Sequence, residues 1–201
     1  MSVRSKTCLI AFALMLSGCF ASQKPLIATG SADRPFADGA TFTEYVNCAT
    51  AVLLGCTGYS AKGTGSLSIK NGAYVGVPDP GDDTAAKMAA QQGGGGDSPV
   101  LLKAMGDDLF LLQVSMGGPD GGLPDKYIYQ LVQIKGATAY IYLMTCEENG
   151  DKRFVKSGQL TAITNAMMMA TCEADDAQNL MKVFRDRLEN GAVPNEKLVF
   201  R

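Results

Sequence analysis

A short turn between two alternating segments is the feature that most constrains how this 201-residue chain can fold. In SLSIKNGAYVGV, residues 66–77, Asn71-Gly72 separates two runs in which apolar and other residues alternate. Asn-Gly in this setting is the strongest short hairpin signal, because both central residues of a type I′ turn need a positive φ. The segment therefore predicts two antiparallel strands joined by a two-residue turn.

Two further segments repeat this design. VLLKAMGDDLFLLQV, residues 100–114, is predicted to turn around Gly106-Asp107, and YIYQLVQIKGATAYIYLMTC, residues 127–146, around residues 135–137. The third turn is either Lys135-Gly136 or Gly136-Ala137, and since these choices shift the pairing by two residues, the faces do not change. Both faces of this hairpin are apolar or aromatic, which predicts a central hairpin covered on both sides.

One long helix is predicted at residues 175–191, DDAQNLMKVFRDRLENG, with Asp175 as its cap and Gly191 at its end. Phe184 lies in its apolar stripe, which we expect to pack on the sheet. Between the third hairpin and this helix, Phe154-Val155 and Met167–Cys172 are predicted to be extended. The predicted fold is mainly β, an antiparallel hairpin meander of about six to eight strands, barrel-like or a sandwich, with one packed C-terminal helix.

Composition excludes several classes of function. The chain contains no histidine, which removes Ser-His-Asp and Cys-His mechanisms and every histidine-dependent zinc site. Its formal net charge is −2 and it has no basic block, which argues against nucleic acid as a partner. The acidic DPGDD segment, residues 79–83, does not match an EF-hand loop, so we predict no metal and no cofactor.

The N-terminus has the order of a secretory signal. Arg4 and Lys6 precede the apolar Cys8–Leu16, and small residues follow. Nine apolar residues span only ~14 Å as a helix, about half of a bilayer core. A membrane-spanning helix is therefore not expected here.

The four residues Leu16-Ser17-Gly18-Cys19 follow this apolar run directly and resemble the lipobox of bacterial lipoproteins. The resemblance implies cleavage before Cys19 and attachment of acyl chains such as palmitate to that residue, which would anchor the protein in a membrane. Phe20, rather than aspartate, follows the cysteine. In lipoproteins of this type that favours the outer membrane, facing the periplasm, over the inner membrane.

This interpretation divides the chain into a signal peptide at 1–18, a lipid-anchored tether at 19–40 and a single β-rich domain at 41–201. The tether is expected because residues 21–40 are rich in small and polar residues. An exported domain is also oxidised, so its four remaining cysteines predict two disulfides. We favour Cys48–Cys56, which requires a bend around residues 53–55, and Cys146–Cys172.

The alternating tyrosines of the third hairpin have two interpretations. They form a ligand-binding surface, or they are ordinary sheet packing. The residues are Tyr127, Tyr129, Tyr140 and Tyr142.

The predicted function is a non-catalytic binding or assembly module, whose partner is an envelope protein or a small apolar ligand. The alternative is an envelope hydrolase that uses a carboxylate pair or a Ser/Lys dyad.

Overall fold

The alternating segments fold as strands of one sheet. The structure is a computed structural model that describes residues 20–51, 57–79, 99–115, 127–146, 151–164 and 170–201. Its strands are β1 (Phe20–Ser22), β2 (Thr41–Asn47), β3 (Tyr59–Lys70), β4 (Ala73–Pro78), β5 (Val100–Gly106), β6 (Leu109–Ser115), β7 (Tyr127–Lys135), β8 (Thr138–Tyr142), β9 (Thr161–Thr164), β10 (Ala170–Glu173) and β11 (Glu196–Phe200). Its helices are α1 (Cys48–Ala51), α2 (Lys152–Lys156) and α3 (Ala177–Glu189), and Thr29–Ser31 form a 3₁₀ turn.

Eight of these strands form a closed ring. Their order is β6-β5-β4-β3-β2-β11-β8-β7, and β7 pairs back with β6. Every neighbouring pair in the ring is antiparallel. β8 pairs with β7 at residues 131–135 and β1 pairs with it at 127–129, so β1 continues along β7 where β8 ends. β10 and β9 extend the sheet beyond β1, and the predicted mainly β fold with a C-terminal helix is confirmed.

Positive φ angles mark the turns of the first two hairpins. Asn71 and Gly72 have φ of 51° and 83°, which confirms the predicted turn. In the second hairpin the residues between the strands are Asp107 and Asp108, with φ of 55° and 58°. This turn lies one residue later than predicted, because β5 has an irregularity between Ala104 and Gly106 that shifts its register.

The third hairpin uses the second of the two turns considered. Lys135 pairs with Thr138, so Gly136-Ala137 is the turn. Tyr140 faces Gln133 and Tyr142 faces Leu131, which confirms that the tyrosines of both strands share one face. Val132 faces Ile141 on the opposite side of this hairpin. The two faces belong to two separate apolar clusters, as expected for a hairpin covered on both sides.

α3 packs against the outer face of the ring. Its N-cap is Asp176, which accepts a hydrogen bond from the Asn179 N–H at 2.8 Å, so the prediction of Asp175 as the cap is wrong by one residue. The first helical residue is Ala177, and the cap is the residue directly before it. Phe184 is fully buried and meets the Phe20 ring edge to face at 5.2 Å. The helix is therefore part of the larger core.

Residues 20–40 pack against the sheet. Phe20 is fully buried between β7 and β10, and Ile27 is 1% exposed. The Gln113 side chain accepts a hydrogen bond from the Ile27 N–H at 2.9 Å and donates one to its carbonyl at 3.1 Å. The expectation of a loose tether over 19–40 is therefore not met for residues 20–40. Their few large apolar side chains are sufficient to attach the segment to the core.

Phe154 and Val155, which were predicted to be extended, lie in helix α2 instead. The predicted Cys146–Cys172 disulfide is confirmed. Cys48 is disulfide-bonded as well, whereas its predicted partner Cys56 and the predicted bend at 53–55 lie outside the described residues. Cys19 lies outside them too. Among the helices of the described part of the chain, none is both long and apolar enough to cross a membrane.

Candidate functional site

The interior of the ring is an apolar cavity of about 260 Å³. Because successive side chains of a strand point to opposite faces, every ring strand directs alternate residues inward. Each of the eight strands lines the cavity with at least one residue: Phe42, Leu67, Tyr74, Leu102, Leu112, Val132, Ile141 and Phe200, in the chain order of their strands. The cavity is thus a product of the whole ring.

Phe36 lines this cavity although it belongs to none of the ring strands. Its ring stacks on Phe200 with centroids 4.0 Å apart. Its backbone N–H donates to the Tyr74 hydroxyl at 2.9 Å, and that hydroxyl donates to the Phe36 carbonyl at 2.7 Å. Burial raises the pKa of the Tyr74 phenol, and the hydrogen bond to Phe36 acts in the opposite direction.

Asp33 and Asp38 hold the segment that carries Phe36. The Ala104 N–H donates to the Asp33 carboxylate at 2.8 Å, and this hydrogen bond lowers the pKa of Asp33. Two residues after Phe36, the Asp38 carboxylate accepts a hydrogen bond from the Ile69 N–H of β3 at 2.8 Å. Residues 33–38 therefore run from β5 to β3 and are held on both strands.

The cavity reaches the surface beside Gly76. This residue lines the cavity and is exposed, and a Cβ placed on it would meet no atom of the described residues within 4 Å. β4 and β5 pair only at Tyr74 and Val100 among the described residues, so the ring has few hydrogen bonds here. Gly76 of β4 pairs with Leu67 of β3, and Leu67 also lines the cavity. The absence of a side chain at position 76 leaves this part of the wall open.

Charged groups lie further along the inward face, away from Phe36. Along β11 the alternating residues run from Phe200, which contacts Phe36, through Leu198 to Glu196. Glu44 of β2 lines the cavity and pairs with Leu198 of β11. The Lys62 ammonium lies 2.6 Å from the Glu44 carboxylate and 3.7 Å from that of Glu196. Two carboxylates thus share one ammonium.

The electrostatics of this cluster are unbalanced. Burial raises the pKa of Glu196, the charge of Glu44 raises it further, and Lys62 acts in the opposite direction. Burial disfavours the charge on Lys62, but the two carboxylates together outweigh it and raise the pKa of Lys62. Lys62 therefore keeps its charge, while burial disfavours the charged form of Glu196.

The predicted tyrosine surface lies on the outer face of the ring, opposite the cavity. Tyr129 is fully buried and Tyr142 is 7% exposed. The Tyr129 hydroxyl bonds the Ser22 hydroxyl at 2.8 Å and accepts from the Leu26 N–H at 3.0 Å, which attaches the N-terminal segment to β7. These two tyrosines are packed in the core. Of the four tyrosines, Tyr127 and Tyr140 are the two that are partly exposed.

Cys146, Asp151 and Cys172 offer a sulfur or oxygen atom within 4.8 Å of one another, as a metal site would. The two sulfurs are bonded to each other, however, and the Asp151 carboxylate accepts a hydrogen bond from Arg187 at 2.8 Å. Metal ligation requires thiolates. The oxidised cluster is therefore a structural element.

The residues of the cavity were not among the site residues predicted from the sequence. Phe36 lies in the segment that we interpreted as tether, and Glu44 and Glu196 lie in strands that the hairpin signals did not cover. The alternation in TFTEYVN and EKLVF, residues 41–47 and 196–200, was the available signal.

Comparison with known proteins finds no family model, no curated protein and no solved structure that matches this chain. Its function must be inferred from the site itself.

Proposed function

We propose that this protein is a lipid-anchored envelope protein that binds a small apolar ligand inside its ring of strands. The observation that carries the proposal is the apolar cavity, to which all eight ring strands contribute. Binding sites for small molecules are concave and mostly apolar, with a few placed polar groups. At ~30 Å³ per heavy atom, comparable to the share of a water molecule, 260 Å³ accommodates roughly nine ligand atoms.

The anchor is proposed from the sequence Leu16-Ser17-Gly18-Cys19. Because Phe20 is fully buried, an acylated Cys19 would be one peptide bond from the folded domain. The domain would then lie directly at the membrane surface, without a flexible spacer. Facing the periplasm from the outer membrane, the domain would have access to ligands dissolved in the periplasm and to ligands dissolved in the lipid.

Methyl NMR of the full chain in lipid nanodiscs tests the cavity proposal. Octanol, an eight-carbon probe, is expected to shift the methyl signals of Val132, Ile141 and Leu198 in a saturable way. The methyl signals of Leu180 and Val183, which lie in the other apolar cluster, serve as the internal control. Absence of saturable shifts at the cavity methyls, or equal shifts in both clusters, would contradict the proposal.

The anchor is tested separately by metabolic labelling with a radioactive fatty acid. The Cys19→Ala variant is expected to lose the label and to retain its signal segment. Equal labelling of the variant and the unchanged protein would refute lipidation at this residue, whatever the NMR result.

A hydrolase remains the second candidate because Glu44 and Glu196 form a carboxylate pair beside the cavity. Two features favour binding over hydrolysis. First, Lys62 lies between the two carboxylates, where an inverting hydrolase needs room for a water molecule between its acid and its base. Second, the described residues of the cavity wall are almost entirely apolar. Release of 4-nitrophenol from its glycosides or esters, with loss in Glu196→Gln, would reverse this order.

A further inference from the structure

The charged cluster indicates how an elongated ligand would be oriented in the cavity. Phe36 and Phe200 line the cavity with stacked aromatic rings. Glu44 is the charged residue among those that line the cavity, and it lies further along the inward face with Lys62 and Glu196 around it. An elongated ligand therefore has its apolar end toward Phe36 and its polar end toward the carboxylates.

The sign of charge at this polar end is negative. When all three groups are ionised, two carboxylates and one ammonium leave a net charge of −1. The neighbouring cation of β11, Lys197, does not compensate it. Its ammonium lies on the opposite face of the strand, 4.4 Å from the Tyr59 ring centre and 5.0 Å from that of Tyr45.

Lys62 does not serve both carboxylates equally. It lies at hydrogen-bond distance from Glu44 but 3.7 Å from Glu196, beyond a good hydrogen bond. Burial and the charge of Glu44 both raise the pKa of Glu196, which agrees with an incompletely compensated carboxylate. A second cation beside Glu196 would relieve this imbalance.

We infer that the ligand is an amphiphile with an apolar body of about nine heavy atoms or fewer and a protonated amine as its head. The inference rests on the proposed function, since it assigns the head group of a ligand bound in the same cavity. An ammonium head would donate charge-assisted hydrogen bonds to Glu196, whereas a carboxylate head would face two like charges. The protein would thus select alkyl amines over fatty acids.

Three probes of equal length separate the alternatives. Octylammonium, octanol and octanoate are titrated into the full chain in nanodiscs of zwitterionic phosphatidylcholine, and the methyl signals of Val132 and Leu198 report occupancy. Octylammonium is expected to bind at least tenfold more tightly than octanol, and octanoate more weakly than octanol.

Carboxylate variants then test the assignment to these residues. Glu196→Gln is expected to remove most of the octylammonium advantage and to leave octanol binding unchanged. Glu44→Gln combined with Glu196→Gln leaves Lys62 without its carboxylates and is expected to reverse the preference toward octanoate. Glu189→Gln removes one carboxylate from the exposed end of α3 and is the matched control.

The outcomes distinguish the two proposals. If none of the probes shifts the cavity methyls, the proposed function fails. If all three bind equally, or octanoate binds most tightly to the unchanged protein, ligand binding stands and the amine assignment is overturned. The Leu180 and Val183 signals show whether each variant is folded.

Discussion

Filling the cavity at Gly76 should weaken ligand binding without weakening the fold. Among the described residues, no atom lies within 4 Å of a Cβ built at this position, so the added side chain meets no described neighbour. The φ of Gly76 is not in the left-handed region, so a β-branched residue fits the strand. Valine at position 76 would project beside Leu67 and Val100, into the space where the ligand is proposed to lie.

The expected loss follows from the number of carbons added. If each carbon displaces one methylene of the ligand, at about 0.8 kcal/mol per CH₂, Gly76→Ala weakens binding roughly fourfold. Three carbons in Gly76→Val displace three methylenes, about 2.4 kcal/mol or roughly 60-fold. The free energy of unfolding should rise by about 0.4–1 kcal/mol, because a glycine is removed from the unfolded chain.

Octanol titration followed by methyl NMR measures the affinities, and urea unfolding measures the stability. Gly30→Val is the matched control, since Gly30 is exposed in the 3₁₀ turn and also has no atom within 4 Å of a built Cβ. It should leave the affinity unchanged. Gly76→Val that is folded and binds octanol as tightly as the unchanged protein would refute the cavity as the binding site.

Three further predictions concern the fold. Phe184→Ala should lower the free energy of unfolding by about 3–5 kcal/mol in urea titrations, because the ring is fully buried against Phe20; an unchanged midpoint would contradict the docking of α3. Replacing Cys146 and Cys172 together by alanine should cost roughly 3.5 kcal/mol from the loss of a loop of 26 residues, and an unchanged unfolding curve would count against it. The raised pKa of Glu196 contributes stability that is complete below the model-compound value of 4.5 and lost as the pH rises through the folded-state pKa. Glu196→Gln should therefore flatten the fall in stability above pH 4.5, and an equally steep fall in urea titrations from pH 4 to 7 would contradict this sign.

Local sequence patterns were sufficient for the hairpins because the interactions that form them are local. The alternation of side chains selects a face, and residues that accept a positive φ select the turn, as at Asn71-Gly72. The two errors of one residue have different causes. Asp175 and Asp176 are both able to cap α3, so composition does not distinguish them, whereas the turn of the second hairpin is displaced by the irregularity between Ala104 and Gly106.

The tether prediction failed for a different reason. Composition measures the average of residues 20–40, whereas docking depends on individual side chains. Phe20 and Ile27 are buried in the larger core, and Phe36 stacks inside the ring. A segment rich in small and polar residues can therefore be fixed by three large ones, provided that a complementary surface exists elsewhere in the chain.

The sequence by itself determined the strand-rich class, the three hairpins and the C-terminal helix, because each depends on a short-range pattern. The cysteine count predicted two disulfides, but four cysteines allow three pairings, and the structure decided for Cys146–Cys172. Only the tertiary structure decided that eight strands close into a ring, since this requires pairing between β2 and β11 from opposite ends of the described chain. The cavity exists only once that ring is closed. The charged residues beside the cavity, Glu44, Lys62 and Glu196, lie on three different strands, and no spacing in the sequence brings them together.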